Sequence, residues 1–127
     1  MDMVEGADPR APRISEMDIR EVVRRLNGAL GPTLVASLAG SRDPEMSHKW
    51  ARADCAEPEE ACARRLRFAY RQFRSISEVE GEQVARLWFI RANPALGDEP
   101  PVDAIRDDHL KATAAAAALI IHDGFYG

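Results

Sequence analysis

At 127 residues the chain has room for one domain with its own core, and none for an α/β barrel or a two-domain enzyme. Its 46% hydrophobic and 30% charged content is that of a globular chain, and no apolar run is long enough to span a bilayer. A formal net charge of −4 argues against a protein that simply coats nucleic acid, although it leaves room for a local basic patch.

Residues 1–13 are polar, carry Pro9 and Pro12, and read as a disordered arm. Their order lacks the charged and then apolar stretches of a secretory signal, so a cytoplasmic location and no membrane contact are expected. The region 14–78 reads as a helical body and 79–127 as a C-terminal module, the whole forming one compact unit. Ser15 is positioned to cap the first helix, with Asp18 three residues on. Ile19, Val22, Val23, Leu26 and Leu30 follow at helical spacing, and Asn27-Gly28 predicts the end. Gly31-Pro32 starts a second helix bearing Leu34, Val35 and Leu38, which Gly40 stops. Asp43-Pro44 opens a third, with Met46 and Trp50.

Glu57-Pro58-Glu59-Glu60 begins the longest helix, with Cys62, Leu66, Ala69, Phe73 and Ile76 as its apolar stripe and a break between Ser77 and Gly81. The next helix carries Val84, Leu87, Trp88 and Ile90 and ends at Asn93-Pro94. Pro100-Pro101 begins a short helix through Asp107. The last helix runs from about His109 to His122, rich in alanine, with Gly124 as its stop. Its small face suits either tight packing on its own core or a close contact with another protein. With no alternating pattern of strand length, the fold class is all-α with about seven short helices.

The segment from Pro32 to Arg52 has the pattern of a DNA-binding helix-turn-helix. Ala36 is the small residue midway along the first helix, and Gly40 marks the turn. Val35 and Ala39 face inward, and Met46 and Trp50 pin the second helix. That arrangement leaves Arg42, Glu45, Ser47, His48, Lys49 and Arg52 outward. The DNA-contacting set is Arg42, Ser47, His48, Lys49 and Arg52, types able to meet phosphates or base edges. An ordinary helical corner fits the same spacing.

Arg64, Arg67, Arg71 and Arg74 share a face of the long helix, either as a solvated row or as a contact for phosphate or an acidic partner. Glu60 is placed to pair with Arg64. Charge is uneven: the first 13 residues sum to −1, residues 14–91 to +1 and residues 92–127 to −4. Asp103 and Asp107 stand one turn apart, as a cation site or as residues matched to a helix start. Cys55 and Cys62, with His48, lack a fourth ligand at a zinc spacing and read as inert thiols. No phosphate loop, paired-histidine motif or serine elbow occurs, so neither catalysis nor a cofactor is expected.

The order of these pieces resembles the Xre/MbcA/ParS-type antitoxins, partners of RES-domain toxins. The resemblance rests on Asp43-Pro44-Glu45-Met46-Ser47-His48-Lys49-Trp50, and more specifically on Trp88, Asn93-Pro94-x-Leu96, Pro101, Ile105-Arg106 and the alanine-rich helix, and it spans roughly Ile19 to Gly124. It implies an antitoxin that binds and blocks an NAD-consuming toxin, assembles as a homodimer or larger complex, and represses its own promoter through the Xre-like helices. The alternative is a stand-alone helix-turn-helix regulator. By the same resemblance Trp88, Asn93, Pro94, Leu96, Arg106, Phe125 and Tyr126 lie in or near the toxin-binding module. Phe125 and Tyr126 suit an anchor for a partner pocket or a tail folded on its own core. The family often has an apolar residue three before the recognition-helix tryptophan, where this chain has Ser47.

Overall fold

Proline and glycine set most of the boundaries between elements. The computed structural model describes residues 13–123. A 3₁₀ turn, Ile14–Glu16, leads into α1 (Ile19–Leu30), α2 (Pro32–Ala39), α3 (Met46–Trp50), α4 (Glu60–Glu80) and α5 (Glu82–Ile90). A second 3₁₀ turn, Pro94–Leu96, precedes α6 (Pro101–Arg106) and α7 (Leu110–Asp123). The fold is all-α, with seven α-helices among the described residues and a single isolated bridge, Asn93 with Glu99, in place of any strand. No described helix is long and apolar enough to cross a membrane. The expected arm lies outside the described residues except for Arg13, and Gly124 lies outside them too.

Several boundaries differ from the sequence expectation for local reasons. Asp18, not Ser15, caps α1, its Oδ1 accepting from the Arg20 N–H at 3.1 Å. Asn27-Gly28 does not end α1, which passes through both to Leu30 and stops at Gly31, where φ is +94°. The Asp43 carboxylate accepts from the Glu45 N–H at 2.9 Å, closing a turn that delays α3 to Met46. α4 runs unbroken through Ser77 and residue 78 to Glu80, and the chain turns at Gly81. α5 stops at Ile90, before Asn93, whose side chain instead caps the 3₁₀ turn by accepting from the Ala95 N–H at 2.9 Å.

α4 lies at the centre and packs against α1, α2, α5, α6 and α7. Its predicted stripe is buried at Leu66, Ala69, Phe73 and Ile76, with Phe68 and Tyr70 added and Cys62 half-buried. α1 supplies Ile19, Val22, Val23 and Leu26, and α2 supplies Val35, Leu38 and Ala39. Burying a side chain such as Leu26, Leu38 or Leu66 contributes about 2 kcal/mol. On α5 the inward residues are Ala85, Trp88 and Phe89. Leu87 and Ile90, expected among the apolar positions, are 41% and 46% exposed, because positions 85, 88 and 89 form the face turned to the core. The alanine-rich α7 buries Thr113, Ala116, Ala117 and Ile120, and leaves Ala112, Ala115 and Leu119 outside.

Guanidinium groups tie the helix ends together. Arg65 donates to the Ala39 carbonyl at the end of α2 (2.8 Å), and Arg86 to the Ala29 carbonyl near the end of α1 (3.2 Å). Arg67 donates to the carbonyls of Ile14 and Met17 at 2.7 and 2.8 Å, fixing the first 3₁₀ turn on α4. The Ala29 and Ala39 carbonyls have no partner inside their own helices, and a cation there also meets the negative end of the dipole, whereas the Ile14 carbonyl accepts from the Met17 N–H as well. Asp108, in the left-handed region with φ +64°, accepts from Arg65 Nε (3.0 Å) and Nη2 (2.9 Å) and from Arg64 Nη2 (3.3 Å). Arg64 thus bonds across the fold to Asp108; no Glu60–Arg64 ion pair forms among the described residues.

Two outcomes are expected. A Cβ at Gly40 would stand 2.6 Å from Arg65 Nη1, on backbone with φ +98°. Gly40→Ala should therefore lower unfolding stability by about 1–2 kcal/mol in chemical denaturation. The hydrogen bond from Arg65 holds the Asp108 carboxyl below its ordinary value. Its contribution is present above the unfolded carboxylate range and lost as pH falls through the depressed folded value. Asp108→Asn should thus be less stable than the parent at neutral pH and converge with it in acid, as read by thermal melts across pH.

Candidate DNA and partner surfaces

The corner between α2 and α3 is built on Gly40. The residue is left-handed (φ +98°, ψ 13°), and the Ser41 N–H returns to the Ala36 carbonyl at 3.0 Å. α3 packs against both α1 and α2, with Trp50 buried and Met46 half-buried. Of the expected DNA-contacting residues, Arg42, His48, Lys49 and Arg52 are exposed. Ser47 is not. It is fully buried, and its Oγ donates to the Pro32 carbonyl at 2.7 Å. The position falls on the inward side of α3, and the hydroxyl tolerates burial because it finds that acceptor.

Two exposed cations of this corner have acidic neighbours. Lys49 Nζ stands 3.3 Å from Asp43, and Arg52 Nη2 stands 3.0 Å from Asp54. The Glu45 N–H, and then Lys49, hold the Asp43 carboxyl below its ordinary value; Arg52 does the same for Asp54. A phosphate backbone drawing on Lys49 and Arg52 would therefore also meet Asp43, Asp54 and the exposed Glu45.

What fixes α3 is α1. Arg20 Nη1 donates to the Trp50 carbonyl at 3.3 Å and to the Arg52 carbonyl, and its Nη2 to the Cys55 carbonyl at 2.7 Å. Arg24 Nη1 donates to the Ala51 carbonyl at 2.8 Å, and Asn27 Nδ2 to the Ser47 carbonyl at 3.2 Å. Sequence reasoning assigned Arg20 and Arg24 no role and took Asn27 only as part of a helix end. Their partners lie 20 to 35 residues away, so no local spacing announces them.

In the C-terminal module, Trp88 is only 7% exposed and meets Phe89 edge-to-face with ring centroids 5.1 Å apart. It belongs to the core, not to an open surface. Asn93 is half-buried and spent on its cap, while its carbonyl accepts from the N–H groups of Leu96 and Asp98, both at 2.9 Å. Pro94 is exposed and Leu96 half-buried. That turn packs against α7. Arg106 is exposed, with Nη1 3.1 Å from Asp103 and Nε 3.5 Å from Asp107. The cation between those two aspartates is thus a guanidinium. Phe125 and Tyr126 lie outside the described residues.

No family model, curated protein or solved structure matches this chain.

The remaining sequence candidates fall into place individually. Cys55 and Cys62 are free and half-buried, and burial pushes the Cys62 thiol up, away from the thiolate. Among the described residues no three His, Cys, Asp or Glu side chains are grouped to hold a metal ion. Of the arginine row, Arg74 stands 3.7 Å from Glu78 and over the Tyr70 ring at 6.0 Å, Arg67 serves the 3₁₀ turn, and Arg71 is exposed.

Arg20→Ala should cost about 1.5–3 kcal/mol, because three main-chain carbonyls, two of them partly buried, lose a charged donor. Hydrogen exchange should quicken over residues 50–57 while α4 and α7 keep their protection.

Proposed function

We propose that this chain is the antitoxin of a type II toxin–antitoxin pair, one that binds and blocks a RES-type, NAD-consuming toxin and represses its own operon. The observation that carries the reading is the ordered set Trp88, Asn93-Pro94-x-Leu96, Pro101, Ile105-Arg106 and the alanine-rich helix. Its support lies in how the residues divide. Trp88, Pro101 and Ile105 are buried and Asn93 caps the turn, which suits a scaffold. Pro94, Arg106 and the exposed pair Leu87 and Ile90 remain outside, and two large apolar side chains three residues apart on a helix suit a protein partner. In this reading the chain works in the cytoplasm without a cofactor, as a homodimer or within a larger complex.

Co-expression with a RES-type toxin should give a co-purifying complex and restore cellular NAD. Absence of both complex and rescue would overturn the proposal. Within such a complex, Leu87→Asp with Ile90→Asp should weaken binding more than tenfold while the circular dichroism spectrum is kept.

The DNA half of the proposal rests on the α2–Gly40–α3 corner and its exposed Arg42, His48, Lys49 and Arg52. The second reading, a stand-alone regulator, draws on the same corner. In gel-shift titrations with the chain's own promoter, Lys49→Ala with Arg52→Ala should lower affinity and flatten the salt slope by about 2. Unchanged binding would reject the site. Operator binding without toxin binding would select the stand-alone regulator.

A further inference from the structure

The arginine row on α4 takes no part in either proposed contact, yet it borders a groove. Arg64, Arg67 and Arg71 line an open space of about 330 Å³ between α4 and the first turn of α7, with Phe68, Leu110 and Glu60. The space has an apolar side, where Phe68 belongs to the core and the half-buried Leu110 packs against it. Its polar side is basic. Three arginines against one glutamate give a lining of +2 in a chain whose formal net charge is −4.

Those charges are only partly answered. Arg64 shares Asp108 with Arg65. Arg67 bonds two neutral carbonyls. Among the described residues no carboxylate forms an ion pair with Arg67 or Arg71. Arg64, Arg67 and Arg71 follow one another at three and four residues, so the row covers two helical turns, about 10.5 Å. Carboxylates on a second helix recur at the same interval, and guanidinium groups bind them bidentately. The apolar floor favours a protein segment over a nucleic acid, whose backbone offers phosphates and no greasy side. The N-terminal end of α7, whose first residue is Leu110, adds positive potential at the same place.

We propose that this groove docks an acidic amphipathic helix of a partner protein, with its carboxylates on Arg64, Arg67 and Arg71 and its apolar side chains on Phe68 and Leu110. The proposal stands apart from the antitoxin reading, since it uses neither the α3 corner nor the Asn93-Pro94 turn.

The test is fluorescence anisotropy of the full-length chain with a labelled helical peptide repeating Glu-Leu-Leu-Glu. Binding should weaken about tenfold with Arg71→Glu, and again with Arg64→Glu, and fall as salt is added. Circular dichroism of both variants checks the fold; Arg71 is the cleaner site, being exposed with no role in the core. A peptide with serine in place of leucine should bind several-fold more weakly. Equal binding to the parent and to Arg71→Glu, or no binding at all, would overturn the proposal. So would duplex DNA that competes while the leucine-to-serine change has no effect. Displacement of the probe by a peptide of residues 1–12 would overturn it in favour of the chain's own N-terminal segment as occupant.

Discussion

A helix of five residues cannot satisfy its own carbonyls. α3 is such a helix, and its C-terminal end runs straight into a loop, so the carbonyls of Trp50, Ala51 and Cys55, which meet no main-chain donor among the described residues, need donors from elsewhere. Arg20 and Arg24 of α1 supply them, and Asn27 adds a second donor to the Ser47 carbonyl. Those ties add to the burial of Trp50 and to the Ser47–Pro32 hydrogen bond in fixing the corner that displays Arg42, His48 and Lys49. The same device recurs at the ends of α1 and α2 and on the first 3₁₀ turn, each time through an arginine from a helix distant in sequence.

This use of arginine changes the meaning of the charge count. Arg20, Arg24, Arg65, Arg67 and Arg86 all donate to backbone carbonyls. Five of the basic residues are thereby partly engaged in structure. The basic surface left outside is smaller and more local than the composition suggests. Two parts of it, the mixed-charge corner at α3 and the groove on α4, differ in the acids beside them. At the corner Lys49 and Arg52 each have an aspartate close by; along α4 Arg67 has neutral partners.

Much of the architecture was legible because proline and glycine act locally. Pro32 and Pro101 stand at the first positions of α2 and α6, and Gly31, Gly40 and Gly81 take positive φ where helices end. Gly28 misled because a helix tolerates glycine at modest cost, while the nearby Gly31 turns the chain. Leu87 misled because α5 carries apolar residues on both sides, and only packing against α4, α6 and α1 decides that Phe89 goes in and Leu87 stays out. For the surfaces the sequence was a weaker guide. Serine is usually exposed, and Ser47 is buried through a bond to Pro32, fifteen residues away. The residues that position α3 were invisible, since an arginine aimed at a distant carbonyl leaves no periodic trace.

The grip of α1 on α3 has one more consequence. Arg20, Arg24 and Asn27 hold main-chain oxygens, which every amino acid provides. The outward side chains of α3 take no part in it. Positions 48 and 49 are therefore open to replacement one at a time with little loss of folding, so that the chemistry the corner shows can change while the corner itself stays put. Position 47 is different, since its side chain faces inward. The outer face of α3 is thus uncoupled from the bonds that keep this helix in place.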